Sequence, residues 1–321
     1  MNILILGGTV FVGRGVAEAA MVRGHQVTLF HRGSKGTGIV PGADEILGDR
    51  DGGLEALAGR RWDAVVDACG YVPRVVGDSA QALEESAGRY LFVSTISVYE
   101  ETEDGGLREM AVETPVGTEE IAGETYGPLK VECERAVRAV WGDRTTIVRP
   151  GLVYGPYDPT NRFPYWVGHF LEGGEILVPD AAAWPLQQID ARDLGEFIVT
   201  LLEKDLSGIF DAVGEDSTFG EAIAACQALN PEAKPVYVAP EVIEAFGIRL
   251  GWELPLAYGN KPTMRVIPQA AVAAGLTRRP LLQTTADTAA WVQKVGLPEK
   301  YNFGLSRERE AEALRELDDK R

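Results

Sequence analysis

A doubly wound α/β fold on a parallel sheet, followed by a smaller domain, is predicted by three observations. Short runs of Val, Ile, Leu and Phe alternate with helical patterns through the first half of the chain. Each run is apolar on both faces, as strands of a sheet covered on both sides must be. A glycine-rich turn stands directly behind the first run.

Taken in order, NILIL, QVTLF, DEIL, DAVVD, RYLFVS and TTIVR read as strands. Helices are expected at 11–23, as a short turn at 53–59, at 72–87 and at 126–141. This alternation is that of a Rossmann-like, doubly wound parallel sheet. After Pro150 the texture changes, and GLVYGPYDPTNRFPYW, rich in Gly, Pro and aromatics, reads as a pocket-lining loop. Residues 190–203 look helical again, and GIFDAV reads as a strand returning to the sheet. Helices near 218–229 and 283–295 belong to the smaller domain, and the terminal RERE AEALRELDDKR reads as a charged, solvated helix or tail. The expected division is 1–150 with about 190–212 in one domain, and about 151–189 with 213–321 in the other.

Composition excludes several function classes. The 321 residues carry a net charge of −17, spread along the chain, which argues against nucleic acid as a partner. Cys69, Cys133 and Cys226 lie far apart and suit reduced thiols in a cytoplasm. His25, His31 and His169 have no metal-ligand spacing, so no metal site is expected. No apolar run approaches the length of a membrane span, and a soluble, unprocessed, cytoplasmic protein is expected.

The loop LGGTVFVGRG brings strand, glycine turn and helix in the order that sets backbone N–H groups against a pyrophosphate. Gly7 can make the tight turn and Gly13 the close helix-to-sheet contact, but Val10 stands where a second close-approach glycine is usual. A plain glycine-rich turn is the alternative. At the end of the second strand, LFHRGSK offers His31, Arg32, Ser34 and Lys35 and no acid for ribose hydroxyls, which favours NADP(H) over NAD(H). In YGPLK, Tyr126 and Lys130 share one helix face, where an ammonium can lower the phenol pKa for proton transfer. Alone, such a pair is by default a surface pair. Upstream, LFVSTISVYE ends a strand in the hydroxyls of Ser94, Thr95 and Ser97, any of which could bond a substrate oxygen.

Glycine loop, hydroxyl strand, YxxxK helix and RPGLVYGP, in this order, resemble the extended short-chain dehydrogenase/reductases, the NAD(P)-dependent epimerase/dehydratase group. The resemblance spans roughly residues 1–200, and GGTVFVG, VTLFHRG and YGPLK are most similar to an atypical branch containing bacterial reductases and chloroplast stem-loop RNA-binding proteins. That branch often lacks the middle glycine, so Val10 looks like a branch feature.

The resemblance implies that Thr95 aligns the reacting oxygen, Tyr126 is the acid/base, and Lys130 is its partner and a ribose ligand. Gly7, Thr9, Phe11, Val12 and Gly13, with Val10 turned aside among them, would lie under the pyrophosphate. Arg32 would hold a 2′-phosphate, with His31 and Lys35 beside it, and Asp49 and Arg50 would flank the adenine. Ala68, Cys69 and Gly70 would face the ribose, and Pro150 and Gly151 the nicotinamide, with Ser94 also on the cofactor side. The first domain would then bind NAD(P) and the second the substrate.

Two departures limit the reaction. Dehydratases of this group carry an Asp and a Glu after the threonine, where this chain has Ile96 and Ser97. Nucleotide-sugar enzymes carry an Asn where this chain has Leu152. Ser97, Arg162 and Trp166 are candidate substrate contacts, against the blander reading of a surface Arg and a core Trp; Trp252, Tyr258 and Arg265 are further, unassigned ones. The leading expectation is an NADP(H)-dependent reductase of a small-molecule carbonyl. An epimerase of a sugar or nucleotide sugar is the alternative, and a non-catalytic dinucleotide-sensing or RNA-binding protein is a third reading. The resemblance also implies a homodimer formed through the helices carrying 72–87 and 126–141.

Overall fold

The computed structural model describes residues 1–103, 106–110, 117–259, 265–297 and 303–318. In chain order the elements begin β1 (Asn2–Leu6), α1 (Phe11–Val22), β2 (Gln26–His31), β3 (Asp44–Leu47), β4 (Trp62–Asp67), α2 (Pro73–Leu83) and β5 (Ala87–Val93). There follow β6 (Tyr99–Glu101), β7 (Leu107–Glu109), α3 (Gly123–Trp141), β8 (Thr145–Pro150), β9 (Leu152–Tyr154), α4 (Arg162–Glu172), β10 (Glu175–Pro179), β11 (Pro185–Asp190) and α5 (Ala191–Glu203). The chain continues through β12 (Gly208–Ala212), β13 (Asp216–Thr218), α6 (Phe219–Gln227), β14 (Lys234–Val238), α7 (Pro240–Ala245), α8 (Gln269–Ala274), α9 (Leu281–Val295) and α10 (Arg307–Asp318).

Two compact units are formed. Met1–Val153, Ala191–Gly214 and Met264–Arg278 make the first; Tyr154–Asp190, Glu215–Thr263 and Arg279–Arg321 make the second. The segment 264–278, expected in the smaller domain, belongs to the first unit: α8 packs on β12, and Lys204 Nζ donates to the Ala274 carbonyl at 2.8 Å.

The first unit carries a seven-stranded sheet in the order β12-β8-β5-β4-β1-β2-β3, every neighbour pair parallel. Ile3 to Leu6 of β1 are fully buried, because helices cover both faces. From β1 the chain winds outward to β2 and β3 on one side and, after crossing back, to β4, β5, β8 and β12 on the other. That reversal makes the carboxyl ends of β1 and β4 the place where such sheets bind ligands. Leu6 is in register with both Phe30 and Asp67, so the loops beginning at Gly7 and Ala68 leave the sheet side by side.

In the second unit β10 pairs with β14 in parallel and β11 with β13 antiparallel. Residues 151–166, expected to be one loop, are not: β9 lies within them and α4 begins at Arg162. The sequence hid α4 because FPYWVGHF is buried on every side, which removes the amphipathic period that marks a surface helix. The terminal helix is likewise no free surface element. Ala313 and Glu310 are buried, the Leu177 N–H donates to Glu310 Oε1 at 3.0 Å, and Arg307 donates to the His169 carbonyl at 2.8 Å. Among the described residues, no helix is long and apolar enough to cross a membrane.

Candidate active site

The first wall of the site is the loop between β1 and α1. Gly7 and Gly8 take φ of +97° and +86°, conformations that only glycine adopts without strain, and the chain doubles back into the helix there. A Cβ on Gly13 would lie 2.7 Å from the Gly8 nitrogen, so the loop backbone rests directly on the first turn of α1. Val10 is extended at φ −136° and supplies no side-chain cap to the helix. The opening N–H groups of α1 thus meet the loop with no capping side chain, the arrangement that suits an anion. Thr9, Val10, Phe11 and Val12 are all partly exposed.

The second wall follows β2. His31 is buried, with Nδ1 accepting from the Gly33 N–H at 3.1 Å and Nε2 lying 3.5 Å from Glu45. Its ring therefore shapes the turn from within. Arg32 and Lys35 stand exposed on that turn, as does Ser34.

Arg50 forms a buried ion pair with Asp67. Its guanidinium donates to both carboxylate oxygens of Asp67, at 2.7 and 2.8 Å, and to Ser79 Oγ at 3.0 Å. Asp67 ends β4 fully buried and also accepts from the Tyr90 hydroxyl at 2.8 Å and the Cys69 N–H at 3.2 Å. Burial alone would raise the Asp67 pKa, but the charge and bonds of Arg50 hold it below the ordinary value, and the guanidinium is correspondingly pushed up. Where Arg50 was expected to flank an adenine, it is committed to this pair beneath the loop; Asp49 N and O lie against Gly53, inside its own turn. Cys69 sits between, its Sγ 3.5 Å from Arg50, with its pKa raised by burial.

The third wall is the turn after β5. Thr95 Oγ1 accepts from the Ser97 N–H and donates to Ser97 Oγ, each at 3.1 Å, which fixes both hydroxyls. Ser94 faces the other way, donating to Glu134 Oε1 at 2.5 Å. Glu134 takes two further bonds from Arg149, at 2.9 and 2.6 Å, and Arg149 also donates to Tyr99 and Glu109 at 2.8 Å each. Burial works against the Arg149 charge, but Glu134, Glu109 and Tyr99 outweigh it and raise the pKa. Ser94 is therefore an anchor of α3 to β5.

Helix α3 closes the site. Thr125 Oγ1 accepts from the Ala122 N–H at 2.8 Å and donates to the Glu120 carbonyl at 2.6 Å, pinning the first turn before Tyr126. A Cβ on Gly127 would collide with the Ser97 carbonyl, so this glycine is where the helix lies on the hydroxyl turn. Lys130, 2% exposed, donates to the carbonyls of Gly70 and Val93 at 2.7 Å each. One ammonium thus ties the loop after β4 to the end of β5. Desolvation, partly opposed by Cys133, Asp67 and Glu134, lowers its pKa to about 8. Tyr126 is partly exposed, its ring 6.5 Å from that of Tyr71. Pro150 ends β8, which lies between β5 and β12 in the sheet, and the Gly151 N–H donates to the Ala212 carbonyl at 3.2 Å.

Of the candidate substrate residues after residue 153, Arg162, Trp166, Trp252 and Tyr258 belong to the second unit and Arg265 to the first. Trp166 is fully buried, its Nε1 donating to the Pro255 carbonyl at 2.8 Å and its ring packed edge-on against Phe219. It is a core residue, not a substrate contact, because its side chain is fully buried and its one donor is bonded. Arg162 donates to Thr160 Oγ1 at 3.0 Å and bonds the Tyr258 hydroxyl, and Trp252 stacks on Phe303 at 4.9 Å.

The chain matches known proteins over most of its length. The chloroplast stem-loop binding protein of 41 kDa b from Arabidopsis thaliana is 27% identical over 264 residues, covering 75% of this chain and 66%, just under two thirds, of the relative. Among solved structures, the UDP-glucose 4-epimerase of Thermus thermophilus, in complex with NAD, aligns with a TM-score of 0.68 at 18% identity over 92% of this chain and 100% of that one. The UDP-glucuronic acid 4-epimerase of Bacillus cereus, also with NAD, aligns at 0.66 and 16% over 92% and 97%. These likenesses share the fold described above. The profile of the NAD dependent epimerase/dehydratase family matches residues 3–211, the span that holds all four walls of the site. The chain belongs to the NAD dependent epimerase/dehydratase family, a family of NAD(P)-dependent enzymes.

Proposed function

We propose that this protein is an NADP(H)-dependent oxidoreductase acting at a carbonyl or secondary alcohol. The observation that carries the reading is the convergence of the β1 loop, the loop after β4, the Thr95 turn and α3 at the ends of β1, β4 and β5, with the two Lys130 bonds joining α3 to the last two strands. The residues fit a dinucleotide: the glycines at 8 and 13 let the loop backbone lie directly on Leu29 of the sheet and on the first turn of α1, and that turn has no capping side chain. Backbone donors around Gly8 to Val12 would hold the pyrophosphate, Arg32 with Lys35 the 2′-phosphate, and Ala68 to Gly70 with Lys130 the ribose side. When bound, the dinucleotide supplies or accepts the hydride. Thr95 holds the substrate oxygen, Tyr126 gives or takes the proton at its phenol oxygen, and the Lys130 ammonium steadies the phenolate.

A second reading, an epimerase of a sugar or nucleotide sugar, is favoured by the two 4-epimerases that share the fold. Cofactor accounting separates the two, since a reductase consumes one NADPH per product and an epimerase has no net consumption. In either case Tyr126→Phe lowers turnover by about a hundredfold or more while leaving dinucleotide binding in place. Full activity in that variant would end both readings. A homodimer formed through α2 and α3 accompanies the proposal, and a solution mass of one chain would remove it.

A further inference from the structure

Tyr71 is a large aromatic residue, 44% exposed, on the loop between β4 and α2. Its ring lies 6.5 Å from the Tyr126 ring, tilted by 36°, and the Lys130 ammonium stands 5.4 Å from its centroid. The residue before it, Gly70, gives its carbonyl to Lys130, and the Phe92 ring covers the ammonium at 4.1 Å. The ammonium is thus bracketed by two aromatic rings and two carbonyls.

We propose that Tyr71 is a positioning residue for the Tyr126 and Lys130 pair, its ring forming the wall that seats the Tyr126 ring and keeps water from the Lys130 ammonium. The reaction-level consequence rests on the reading of Tyr126 as acid/base. A half-exposed ring placed over a buried charge has a clear physical effect. It contributes cation–π attraction while denying the charge its hydration. The Tyr71 hydroxyl does not compete for the proton, because burial and the neighbouring Tyr126 push its pKa up to about 12. The other charged or titratable groups facing Lys130 are Cys133 and Glu134 on its own helix, Asp67 at the end of β4, and Arg50.

The test follows the Lys130 ammonium by NMR in the full chain carrying ¹³C-labelled lysine, with the resonance assigned through Lys130→Arg. In Tyr71→Ala water reaches the ammonium and its titration midpoint rises by about one unit, whereas Tyr71→Phe, which keeps the ring, titrates like the wild type. A midpoint in Tyr71→Ala within about 0.2 unit of wild type overturns the proposal. An equal shift in Tyr71→Phe also overturns it, because the hydroxyl and not the ring would then be acting. The titration needs neither substrate nor turnover. Its failure is therefore distinguishable from failure of the redox reading, which Tyr126→Phe decides.

Discussion

Lys130 is the residue whose burial has the most direct energetic consequence. Desolvation brings its pKa down to about 8 from an ordinary 10.5, so the folded chain releases this proton at lower pH than the unfolded chain does. Between those values the unfolded state binds more protons, and the stability attributable to Lys130 rises with pH; below about 8 the full penalty of the buried charge remains. Relative to Lys130→Met, the wild type gains about 3 kcal/mol across that window, to be read from urea unfolding at its two ends. Asp67 has the opposite dependence. Its depressed pKa contributes stability above the unfolded value that is lost as pH falls through the folded one. Asp67→Asn, which leaves the Arg50 charge buried and unmatched, destabilises by about 3 kcal/mol or more in the same measurement. Arg32 stands on the surface and carries a different prediction. Arg32→Ala weakens NADP⁺ about tenfold or more by calorimetric titration and leaves NAD⁺ nearly unchanged; equal loss for both would place the 2′-phosphate elsewhere.

Gly127 sets the scale of the element. Because its missing Cβ is what lets α3 lie on the Ser97 carbonyl, Gly127→Ala forces the helix away from the hydroxyl turn. The expected cost is about 1–3 kcal/mol in stability, with a larger fall in turnover than in dinucleotide affinity, since the turn holds Thr95 and not the β1 loop. Turnover kinetics set beside a thermal melt would check this. The sequence made such elements visible to different degrees. The strands of the sheet and α1 are legible because buried parallel strands read as short apolar runs and the glycine turn punctuates them. Helix α4 is not, because its buried faces leave no period, and Pro164 falls in its first turn where it is harmless. Tyr126 and Lys130 were singled out by their spacing on one helix and Thr95 by the hydroxyls that end its strand, but their candidate roles came from the resemblance and not from spacing alone. The Arg50 and Asp67 pair and the Ser94, Glu134 and Arg149 chain were not legible, because each joins residues far apart in sequence whose meeting depends on sheet order. An Asp closing the apolar run DAVVD, which demands a buried counter-charge, was the one available clue to the first.

At the scale of the whole molecule, the net charge of −17 opposes any polyanion. With a stem-loop RNA probe in a mobility-shift assay at low salt, no shift is expected; a shift that fades steeply with salt would argue for RNA binding instead. The first unit is also discontinuous, since the chain leaves it after Val153 and returns at Ala191. The contact that depends on this return is between α1 and α5, where Gly15 and Gly195 lie backbone to backbone with no room for a Cβ on either. During synthesis, therefore, the glycine loop leaves the ribosome well before α5, and the helix behind it waits for α5 before its other face is covered. Loop closure over so long a span is slow. A nascent chain stopped short of α5 would carry every residue of the glycine loop and still lack the brace that holds it in shape.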